Sequence, residues 1–466
     1  MKYLVVTSRA PISHEIQNGN EVINKNVGGV VTALRRLMIQ EGGTWIAWGD
    51  GNADHDYVNE DYEGYHISRI ILDNRDRKGF YEEYANGSLW PLFHYFRDQM
   101  KFSPTGFRRY EEVNRKFAER IMKYADSETI IWIHDYQLML VPGLLRQMGS
   151  TNLIIFTWHI PWVASEFYSI LPEARILIES LSKADMITFH TEIYELNYRE
   201  SLRRLLGDDN HPESRTFVFA LGIDYNYYSS SSLNNLPLKT LKGKKLIFSV
   251  DRLDYTKGLI NRIIAIEDLI KRYPKSREKF VYVMIVTPSR TSVKQYMDLK
   301  EELEMTIGRV NGLYSDLSWQ PIVYIYRRIS DSILINYYKK ADIALITPLI
   351  DGLNLVSKEF VAASQNGVLI LSLFAGSSYG MRDALIVNPN NPAQVAEKIH
   401  QAMFFEPHEI NRKLWALKKT VQKYDLDWWL TSIKKEAMKI YDSKFRNTRN
   451  IEKLEAGSGK RHSDFP

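Results

Sequence analysis

Short, β-branched apolar runs alternate with helical patterns along most of the chain, and this alternation restricts the fold more than any other feature. In the first half, strands are predicted at residues 3–7, 44–48, 129–134, 153–158, 186–189 and 216–220. Helical periodicity lies between them, over residues 30–39 and 112–124. Strands that alternate with helices predict a parallel sheet covered by helices.

The alternation is interrupted near the middle of the chain. Residues 227–237 read YYSSSSLNNLP, a polar and turn-rich stretch without periodicity. Strands are predicted again at residues 246–250, 281–286, 322–326, 343–347, 368–372 and 385–387. We therefore predict an α/β fold with two Rossmann-like, doubly wound domains facing a cleft, the first over residues 1–228 and the second over residues 238–430.

Composition and charge exclude several classes of protein. The chain has 466 residues and no cysteine, which excludes a disulfide framework and thiolate metal sites. Its 61 basic and 56 acidic residues nearly balance, so charge does not indicate a nucleic-acid partner. No apolar run reaches the roughly 18 residues that a membrane-spanning helix needs. We expect a cytoplasmic globular protein without a nucleic-acid or membrane partner.

Two polar loops carry the clearest chemical signal. Residues 250–259 (VDRLDYTKGL) and 351–359 (DGLNLVSKE) each begin where an apolar run stops and lead into an amphipathic helix. Loops of this kind, at the carboxyl ends of strands and at helix N-termini, bind anionic ligands in α/β sheets. Arg252 and Lys257 supply positive charge there, and Asp351 and Glu359 supply acceptors for hydroxyl groups. The combination predicts a sugar-nucleotide site.

These loops belong to a longer series of motifs. In chain order the series is Ser8-Arg9, Gly28-Gly29, SLWP at 88–91, WIHDY at 132–136, HIP at 159–161, RLDYTKG at 252–258, PSR at 288–290 and the loop at 351–359. In this order the motifs resemble the trehalose-6-phosphate synthase family, glycosyltransferase family 20, whose members are retaining enzymes of GT-B architecture. The resemblance runs from residue 3 to about residue 430. It implies a last helix, at about 430–446, that crosses back onto the first domain, and residues 447–466 read as a mobile tail.

The resemblance assigns a role to several residues that would otherwise be ordinary surface charges, turn formers or buried polar groups. It implies that Arg252 and Lys257 clamp the donor diphosphate, that Asp351 accepts hexose hydroxyls and that Glu359 accepts ribose hydroxyls. The full donor set that it implies is Gly28, Gly29, Arg252, Lys257, Ile329, Asp351, Leu355, Val356 and Glu359.

The acceptor side is assigned in the same way. The resemblance implies that Arg9, Tyr81 and Arg290 bind the acceptor phosphate, that Trp90 forms an apolar wall and that Asp135 binds acceptor hydroxyls. It places His159 against the transferred hexose, through its backbone carbonyl or its ring. The residues closest to the chemistry are then Arg252, Lys257, Asp135 and His159.

The implied reaction is transfer of glucose, with retention, from a nucleotide-glucose to glucose 6-phosphate, with UDP-glucose as the expected donor. No cofactor or metal is expected, because Arg252 and Lys257 take the place of a metal ion at the diphosphate. The base of the donor and the oligomeric state, including a homo-oligomer, stay open.

The acceptor also stays open. Ser8 stands where the family commonly has Asn, and residues 162–166 read WVASE where Phe and Pro are usual. A sister enzyme, such as a glucosylglycerol-phosphate synthase or one that uses a cyclitol phosphate, is the alternative. A catalytically silent regulatory subunit is another; its mark would be loss of the Arg–Lys pair or of Asp351, and all three residues are present.

Overall fold

The computed structural model describes residues 2–26, 28–207, 215–231, 243–290 and 293–458, with side chains up to Lys444. The chain divides into two compact units: Met1–Phe219 with Trp429–Pro466, and Ala220–Trp428. The first change of unit thus lies before residue 228, the predicted end of the first domain. The reason is local hydrogen bonding, because Lys358 Nζ donates to Leu221 O (2.6 Å) and Leu426 N to Ile223 O (3.0 Å). Residues 232–237 of the predicted linker lie outside the described residues.

The first unit contains ten described strands. They are β1 (Lys2–Arg9), β2 (Ile12–Gln17), β3 (Asn20–Lys25), β4 (Thr44–Gly49), β5 (Asn59–Tyr62), β6 (Tyr65–Ile71), β7 (Thr129–His134), β8 (Ile154–Thr157), β9 (Met186–Phe189) and β10 (Arg215–Val218). Strands β2 and β3 form a separate antiparallel hairpin, and the others form one sheet in the order β10-β9-β8-β7-β1-β4-β6-β5. Within this sheet only β5 is antiparallel to its neighbour.

The order of these strands places a topological switch point between β1 and β7. From β1 the chain adds β4 and β6 on one side, and from β7 it adds β8, β9 and β10 on the other. Ligands of doubly wound sheets bind outside the carboxyl ends of the strands at such a point. Arg9 ends β1 and Asp135 directly follows β7, so both predicted residues flank it.

Helices connect these strands. They are α1 (Gly29–Glu41), α2 (Asn74–Asp76), α3 (Trp90–Phe93), α4 (Pro104–Tyr124), α5 (Val141–Gln147), α6 (Ser165–Tyr168), α7 (Ala174–Leu181) and α8 (Glu192–Leu206). The segment Arg77–Leu89, which links α2 to α3, is π-helical and carries Tyr81. Segments of π-helix are rare in proteins, and those that occur often lie at functional sites.

The last helix of the chain, Leu426–Ser458, groups with the first unit from Trp429 onward; in chain order it is α16. Trp429 is fully buried and packs on Trp132 with ring centroids 5.5 Å apart. Further along, Lys444 Nζ pairs with Asp185 Oδ1 at 2.7 Å. The helix continues to Ser458, into the segment that the sequence predicts as a mobile tail.

The second unit holds six described strands in one sheet. They are β11 (Lys245–Arg252), β12 (Phe280–Thr287), β13 (Ile322–Tyr326), β14 (Ile343–Ile346), β15 (Val368–Ser372) and β16 (Leu385–Val387). All neighbours are parallel, in the order β13-β12-β11-β14-β15-β16. The switch point lies between β11 and β14, and the two predicted loops follow these two strands.

Helices of the second unit complete the doubly wound pattern. They are α9 (Tyr225–Ser230), α10 (Leu259–Arg272), α11 (Lys294–Tyr314), α12 (Asp331–Lys340), α13 (Leu355–Ala363), α14 (Pro392–Met403) and α15 (Pro407–Lys423). Their apolar faces close a core around strand residues such as Ile247, Met284 and Leu345, all fully buried. Roughly 1.5–3 kcal/mol follows from burying each such side chain.

The predicted fold class is confirmed, and so are the strands that the sequence predicted. Five predicted strands match residue for residue: 129–134 is β7, 186–189 is β9, 322–326 is β13, 368–372 is β15 and 385–387 is β16. The others shift by one or two residues at their ends. Strands β2, β3, β5 and β6 were not predicted. In the part of the chain that the structure covers, no helix combines the length and apolarity needed to cross a bilayer.

Candidate active site

The two polar loops of the second unit lie side by side. Leu349 N, in the loop after β14, donates to Thr256 O in the loop after β11 (2.7 Å). Gly258, which directly precedes α10, has a φ of 64°, and a Cβ there would lie 2.7 Å from Thr347 O. Only glycine fits this approach. The close contact therefore holds the two loops together at the switch point.

Lys257 and Asp351, one from each loop, form an ion pair. Lys257 Nζ lies 2.6 Å from Asp351 Oδ2, and Asn354 Nδ2 donates to the same oxygen at 3.1 Å. The two charged side chains are 12% and 15% exposed. The sequence predicts Lys257 on the diphosphate and Asp351 on the hexose; the structure brings them together. Asn354, which has a φ of 70° and caps α13 through Ser357 N, is an addition to the site.

Positive charge concentrates around Asp254, in the first of these loops. Its carboxylate accepts from Thr256 N and Thr256 Oγ1, each at 3.0 Å, and lies 3.3 Å from Arg290 NH1. Burial acts to raise the pKa of Asp254, but the charges of Arg290, Arg252 and Lys257 outweigh it and hold this pKa below its usual value. Arg252 itself ends β11 and is exposed.

Arg290 contacts the first of the two polar loops. It precedes α11, which begins at Lys294, and has a φ of 49°. This backbone turn directs the guanidinium to Asp254. Arg290 thus lies outside both polar loops in the sequence but contacts the first of them, and its role at the acceptor phosphate stays a prediction.

Arg262 is a buried residue that the sequence reasoning missed. It lies on α10 and is 1% exposed. Its guanidinium donates to Asp251 Oδ2, to Thr347 Oγ1 (3.1 Å) and to the carbonyl oxygen of Lys257 (2.8 Å). It thus connects the ends of β11 and β14 to the backbone of Lys257. A cation on the apolar face of a predicted helix was the available signal.

Glu359 lies on α13 and is half-buried. Tyr338 Oη donates to its Oε2 at 2.9 Å. Burial raises the pKa of Glu359 above its usual value, against the hydrogen bonds from Tyr338 and Tyr228. The carboxylate is therefore held in place by two phenols and remains partly accessible to hydroxyl groups.

The remaining predicted donor residues lie near the ends of helices or strands in the two units. Leu355 and Val356 are the first residues of α13, directly after the loop that carries Asp351. Ile329 follows β13 and packs against the core of the second unit. Gly28 and Gly29 belong to the first unit, where Gly28 precedes α1 and its missing side chain faces open space.

Arg9 and Tyr81 meet in the first unit. Arg9 is the last residue of β1, and its NH2 donates to Tyr81 Oη at 3.0 Å. The guanidinium carbon lies 4.9 Å from the centre of the Tyr81 ring. Asp50, which follows β4, is 3.5 Å from Arg9 NH1, and burial raises the pKa of Asp50 while Arg9 lowers it. The structure thus brings these two predicted residues together and places a carboxyl group beside them, while their role at a phosphate stays a prediction.

Asp135 occupies strained backbone at the end of β7. Its φ is 73°, in a region that residues other than glycine seldom adopt. Burial raises its pKa to about 7, although hydrogen bonds from the backbones of Tyr136 and His159 act against this. His159 N lies 3.4 Å from Asp135 Oδ1. The two predicted residues are therefore in contact, and the carboxyl group titrates near neutral pH.

The ring of His159 is fully engaged within the protein. Its Nε2 lies 3.0 Å from His134 Nδ1, and its Nδ1 lies 3.1 Å from His190 Nε2. Of the two ways in which the resemblance lets His159 face a sugar, the backbone is therefore the one that its geometry leaves open.

Trp90, the predicted apolar wall, is 7% exposed and packs against His94 and Tyr136. Trp162, which departs from the family pattern, is fully buried among Phe93, Trp158 and Tyr198. The departure at Trp162 is accordingly a change of core packing. Ser8 is also buried, and its Oγ has no hydrogen-bond partner among the described residues.

Among the residues that the structure describes, no three or more His, Asp or Glu side chains form a group that could hold a metal ion.

Known proteins are similar to this chain in sequence over most of its length. Residues 1–439 match the model of glycosyltransferase family 20. The chain is 35% identical over 461 residues to the bifunctional trehalose-6-phosphate synthase/phosphatase of Thermoproteus tenax, covering 92% of this chain and 62% of that protein. With the trehalose-6-phosphate synthase of Citrobacter koseri it is 34% identical over 422 residues, which is 86% of this chain and 89% of the other.

Solved structures agree with the sequence relatives. The trehalose-6-phosphate synthase OtsA superposes with a TM-score of 0.86 at 31% identity, over 94% of this chain and 99% of that one. A trehalose-phosphate synthase from Burkholderia xenovorans, in complex with glucose-6-phosphate, gives 0.85 at 27% identity, over 94% of this chain and 100% of that one.

Two doubly wound α/β units, each with polar loops at its switch point, are the GT-B architecture, the one that OtsA shares with this chain. The chain belongs to glycosyltransferase family 20. It spans 62% of the length of the Thermoproteus tenax relative.

Proposed function

We propose that the protein transfers glucose from a nucleotide-glucose to glucose 6-phosphate and so forms trehalose 6-phosphate with retention at the anomeric carbon. The observation that supports this most directly is the second unit's switch point, where Lys257 pairs with Asp351 and Arg252 ends β11. A related enzyme from E. coli has been solved with UDP-2-fluoro glucose, and the Burkholderia xenovorans relative with glucose-6-phosphate. UDP-glucose is accordingly the proposed donor.

The donor chemistry needs positive charge where the leaving diphosphate develops its negative charge. Arg252 supplies an exposed guanidinium, and Lys257 supplies an ammonium group on a backbone that Arg262 holds in place. On donor binding, Lys257 is shared between the diphosphate and Asp351, which leaves Asp351 oxygens for hexose hydroxyls. Preorganised charges of this kind lower the barrier without a discrete base. We propose front-face attack, in which a departing diphosphate oxygen takes the acceptor proton.

The acceptor is bound by different chemistry. Arg9 offers a planar fork of N–H donors to the phosphate, with Tyr81 adding a hydroxyl. Asp135, once ionised, accepts from the sugar hydroxyls. Asp50 beside Arg9 repels a dianion, so we propose that Arg9 turns from Asp50 to the phosphate when the acceptor binds.

A sister reaction, with glycerol 3-phosphate or a cyclitol phosphate as acceptor, is the second candidate. One observation favours it: Ser8 precedes Arg9 where the family commonly has the longer Asn, and its hydroxyl is left without a described partner. The departure at Trp162 does not favour it, because that side chain lies in the core.

A matrix of donors and acceptors tests the proposal. Purified protein would be incubated with UDP-, GDP- or ADP-glucose and with glucose 6-phosphate, glycerol 3-phosphate, a cyclitol phosphate or free glucose, and products identified by mass spectrometry. We expect trehalose 6-phosphate from UDP-glucose and glucose 6-phosphate, and little product with free glucose. A faster reaction with glycerol 3-phosphate would establish the sister reaction, and no transfer with any pair would establish a silent subunit.

We also propose that the reaction needs no metal ion and no cofactor, since two cationic side chains serve the diphosphate. Activity should then persist in excess EDTA. Complete loss that is restored by adding back a divalent cation would overturn this part of the proposal.

A further inference from the structure

Three buried histidines form a chain of hydrogen bonds in the first unit. His134 ends β7, His159 follows β8 and His190 directly follows β9, so each lies at the carboxyl end of one of three neighbouring strands. His134 Nδ1 lies 3.0 Å from His159 Nε2, and His159 Nδ1 lies 3.1 Å from His190 Nε2. The series of hydrogen bonds ends at Phe219, whose carbonyl oxygen lies 3.3 Å from His190 Nδ1.

The carbonyl of Phe219 determines where every proton in this chain must be. A carbonyl only accepts hydrogen bonds, so the N–H of His190 is on Nδ1 and its Nε2 is an acceptor. His159 must then donate from Nδ1 and accept at Nε2, and His134 must donate from Nδ1. All three rings are thereby assigned the Nδ1–H tautomer.

The opposite direction would require an additional proton. It would need a doubly protonated His190, and it would leave an N–H on His134 Nε2, an atom that is buried and has no partner among the described residues. Burial lowers the pKa of His134 to about 3 and the pKa of His159 well below its usual value, with further lowering by the neighbouring rings. Neutral rings are thus favoured, since a buried charge without a counter-ion is costly.

The chain of hydrogen bonds between the histidines also affects the candidate site. With both ring nitrogens of His159 occupied, its imidazole cannot rotate without breaking two hydrogen bonds, and this fixes the adjacent backbone. That backbone presents its N–H to Asp135 at 3.4 Å. Phe219 O also accepts from Trp429 Nε1 at 3.2 Å, so the acceptor that orients the chain is itself held by a buried side chain of α16.

We infer that His190 is a positioning residue: by donating to Phe219 O and accepting from His159, it fixes the tautomer and orientation of His159 and, through the His159 backbone, the position of Asp135. His190 touches no substrate in this role. The kinetic part of the inference rests on the proposed function, because it assigns Asp135 to the acceptor. The tautomer part does not.

Two substitutions that introduce side chains of similar size distinguish this positioning role from simple packing. In His190→Gln, the amide N–H can donate to Phe219 O and the amide oxygen can accept from His159, so the direction of the chain is kept. In His190→Leu, both functions are lost. His408, which is exposed, provides a control as His408→Gln.

The first measurement is NMR of the full chain labelled with ¹⁵N and ¹³C in histidine, without substrate. We expect His134, His159 and His190 as Nδ1–H tautomers, with His159 unchanged in His190→Gln and altered in His190→Leu. A Nε2–H or doubly protonated ring at any of the three in the parent protein would overturn the inference, whatever reaction the enzyme catalyses.

The second measurement compares the apparent constants for acceptor and donor. Displacement of a binding group by a fraction of an ångström costs roughly 10- to 100-fold, so His190→Leu should raise the acceptor constant by that order with little change in the donor constant. His190→Gln should recover most of this loss. If both variants lose thermal stability and raise both constants alike, His190 is a packing residue and the inference fails. If no substrate pair reacts, the proposed function fails, and the tautomers still decide the first part.

Discussion

The two units place their polar residues at equivalent points of similar sheets but compensate them in different ways. At the switch point of the second unit, the buried charges are paired: Lys257 with Asp351, Arg262 with Asp251 and Arg290 with Asp254. At that of the first unit, Asp135 and the histidine chain are held by backbone groups and by one another. Opposite charges keep groups ionised, whereas burial without them favours the neutral forms.

This difference suggests a division of labour. The second unit supplies fixed charge, which suits a diphosphate leaving group, and the first supplies Asp135, a carboxyl group whose protonation responds to pH near neutrality and whose ionised form suits recognition of hydroxyl groups. The predictions below test this contrast, beginning with the largest expected effect.

Loss of either donor cation should have the largest effect. Arg252→Ala or Lys257→Ala should reduce kcat by about 100-fold or more, the loss seen when one partner of a transition-state charge is removed. Steady-state kinetics with the proposed substrates measures this. Lys245→Ala is a matched control, because Lys245 pairs with Asp342 (2.8 Å) at the opposite end of the same strand, β11. Near-normal kcat in either donor variant, or an equal loss in Lys245→Ala, would remove the cation from the site.

Substitutions of Arg9 and Arg290 should separate the two kinds of arginine. Arg9→Ala should raise the apparent acceptor constant by about 10- to 150-fold, since a charge-assisted hydrogen bond contributes roughly 1.5–3 kcal/mol. Arg290→Ala should raise the apparent acceptor constant by a similar factor. It should also raise the apparent donor constant, because Asp254, which lies in the donor loop, loses a partner.

Arg290→Lys refines that test. It keeps a positive charge for Asp254 but removes the planar fork, so the donor constant should recover while the acceptor constant stays high. If Arg290→Lys restores both constants, Arg290 serves the donor loop alone, and its assignment to the acceptor phosphate is wrong.

The donor loops could be predicted from sequence because their residues act close to where they stand in the chain. Arg252, Lys257 and Asp351 each follow a buried strand, and parallel strands align their carboxyl ends. The same reasoning fails for Arg262 and His190, whose roles depend on contacts with Lys257 O and Phe219 O that no local pattern encodes.

Some misses had a signal. His134 and His190 each stand at the end of an apolar strand, as the predicted His159 does, a repetition that the sequence shows plainly. The hairpin β2–β3 turns at Asn18-Gly19, both with positive φ, and Asn-Gly between alternating residues is a strong hairpin signal. By contrast, β5 (NEDY) is short and polar, and it is a strand only because β6 offers it an edge to pair with.

The titration of Asp135 should be visible in the pH dependence of the acceptor reaction. Its pKa, raised by burial to about 7, means that the carboxylate able to accept hydroxyl donors forms only as pH rises through about 7. We expect kcat/KM for the acceptor to rise several-fold through that range. The phosphate monoester also ionises near pH 6, so Asp135→Asn is the control. The limb near 7 should disappear in this variant, and a limb that persists belongs to the substrate.

Lys358 is a buried titratable group of the second unit that, like Asp135 in the first, has no ion-pair partner among the described residues. Its substitution should have the smallest effect of those considered. This lysine is 6% exposed and donates to Leu221 O, and it forms no ion pair with any described residue. Burial lowers its pKa from 10.5 to about 8. The unfolded chain therefore binds the proton more tightly than the folded protein, and folding stability gained from the neutral amine is complete above pH 10.5 and lost as pH falls through 8.

Lys358→Met removes this titration. Relative to the parent, the variant should gain a few degrees in Tm near neutral pH, and the gain should shrink or reverse near pH 10, where the parent keeps its bond to Leu221 O. Lys340→Met, on the exposed end of α12, controls for general loss of charge. Thermal denaturation across this pH range decides the matter: a Tm difference that does not change with pH would show that Lys358 is solvated, and that the second unit has no uncompensated buried charge at this position.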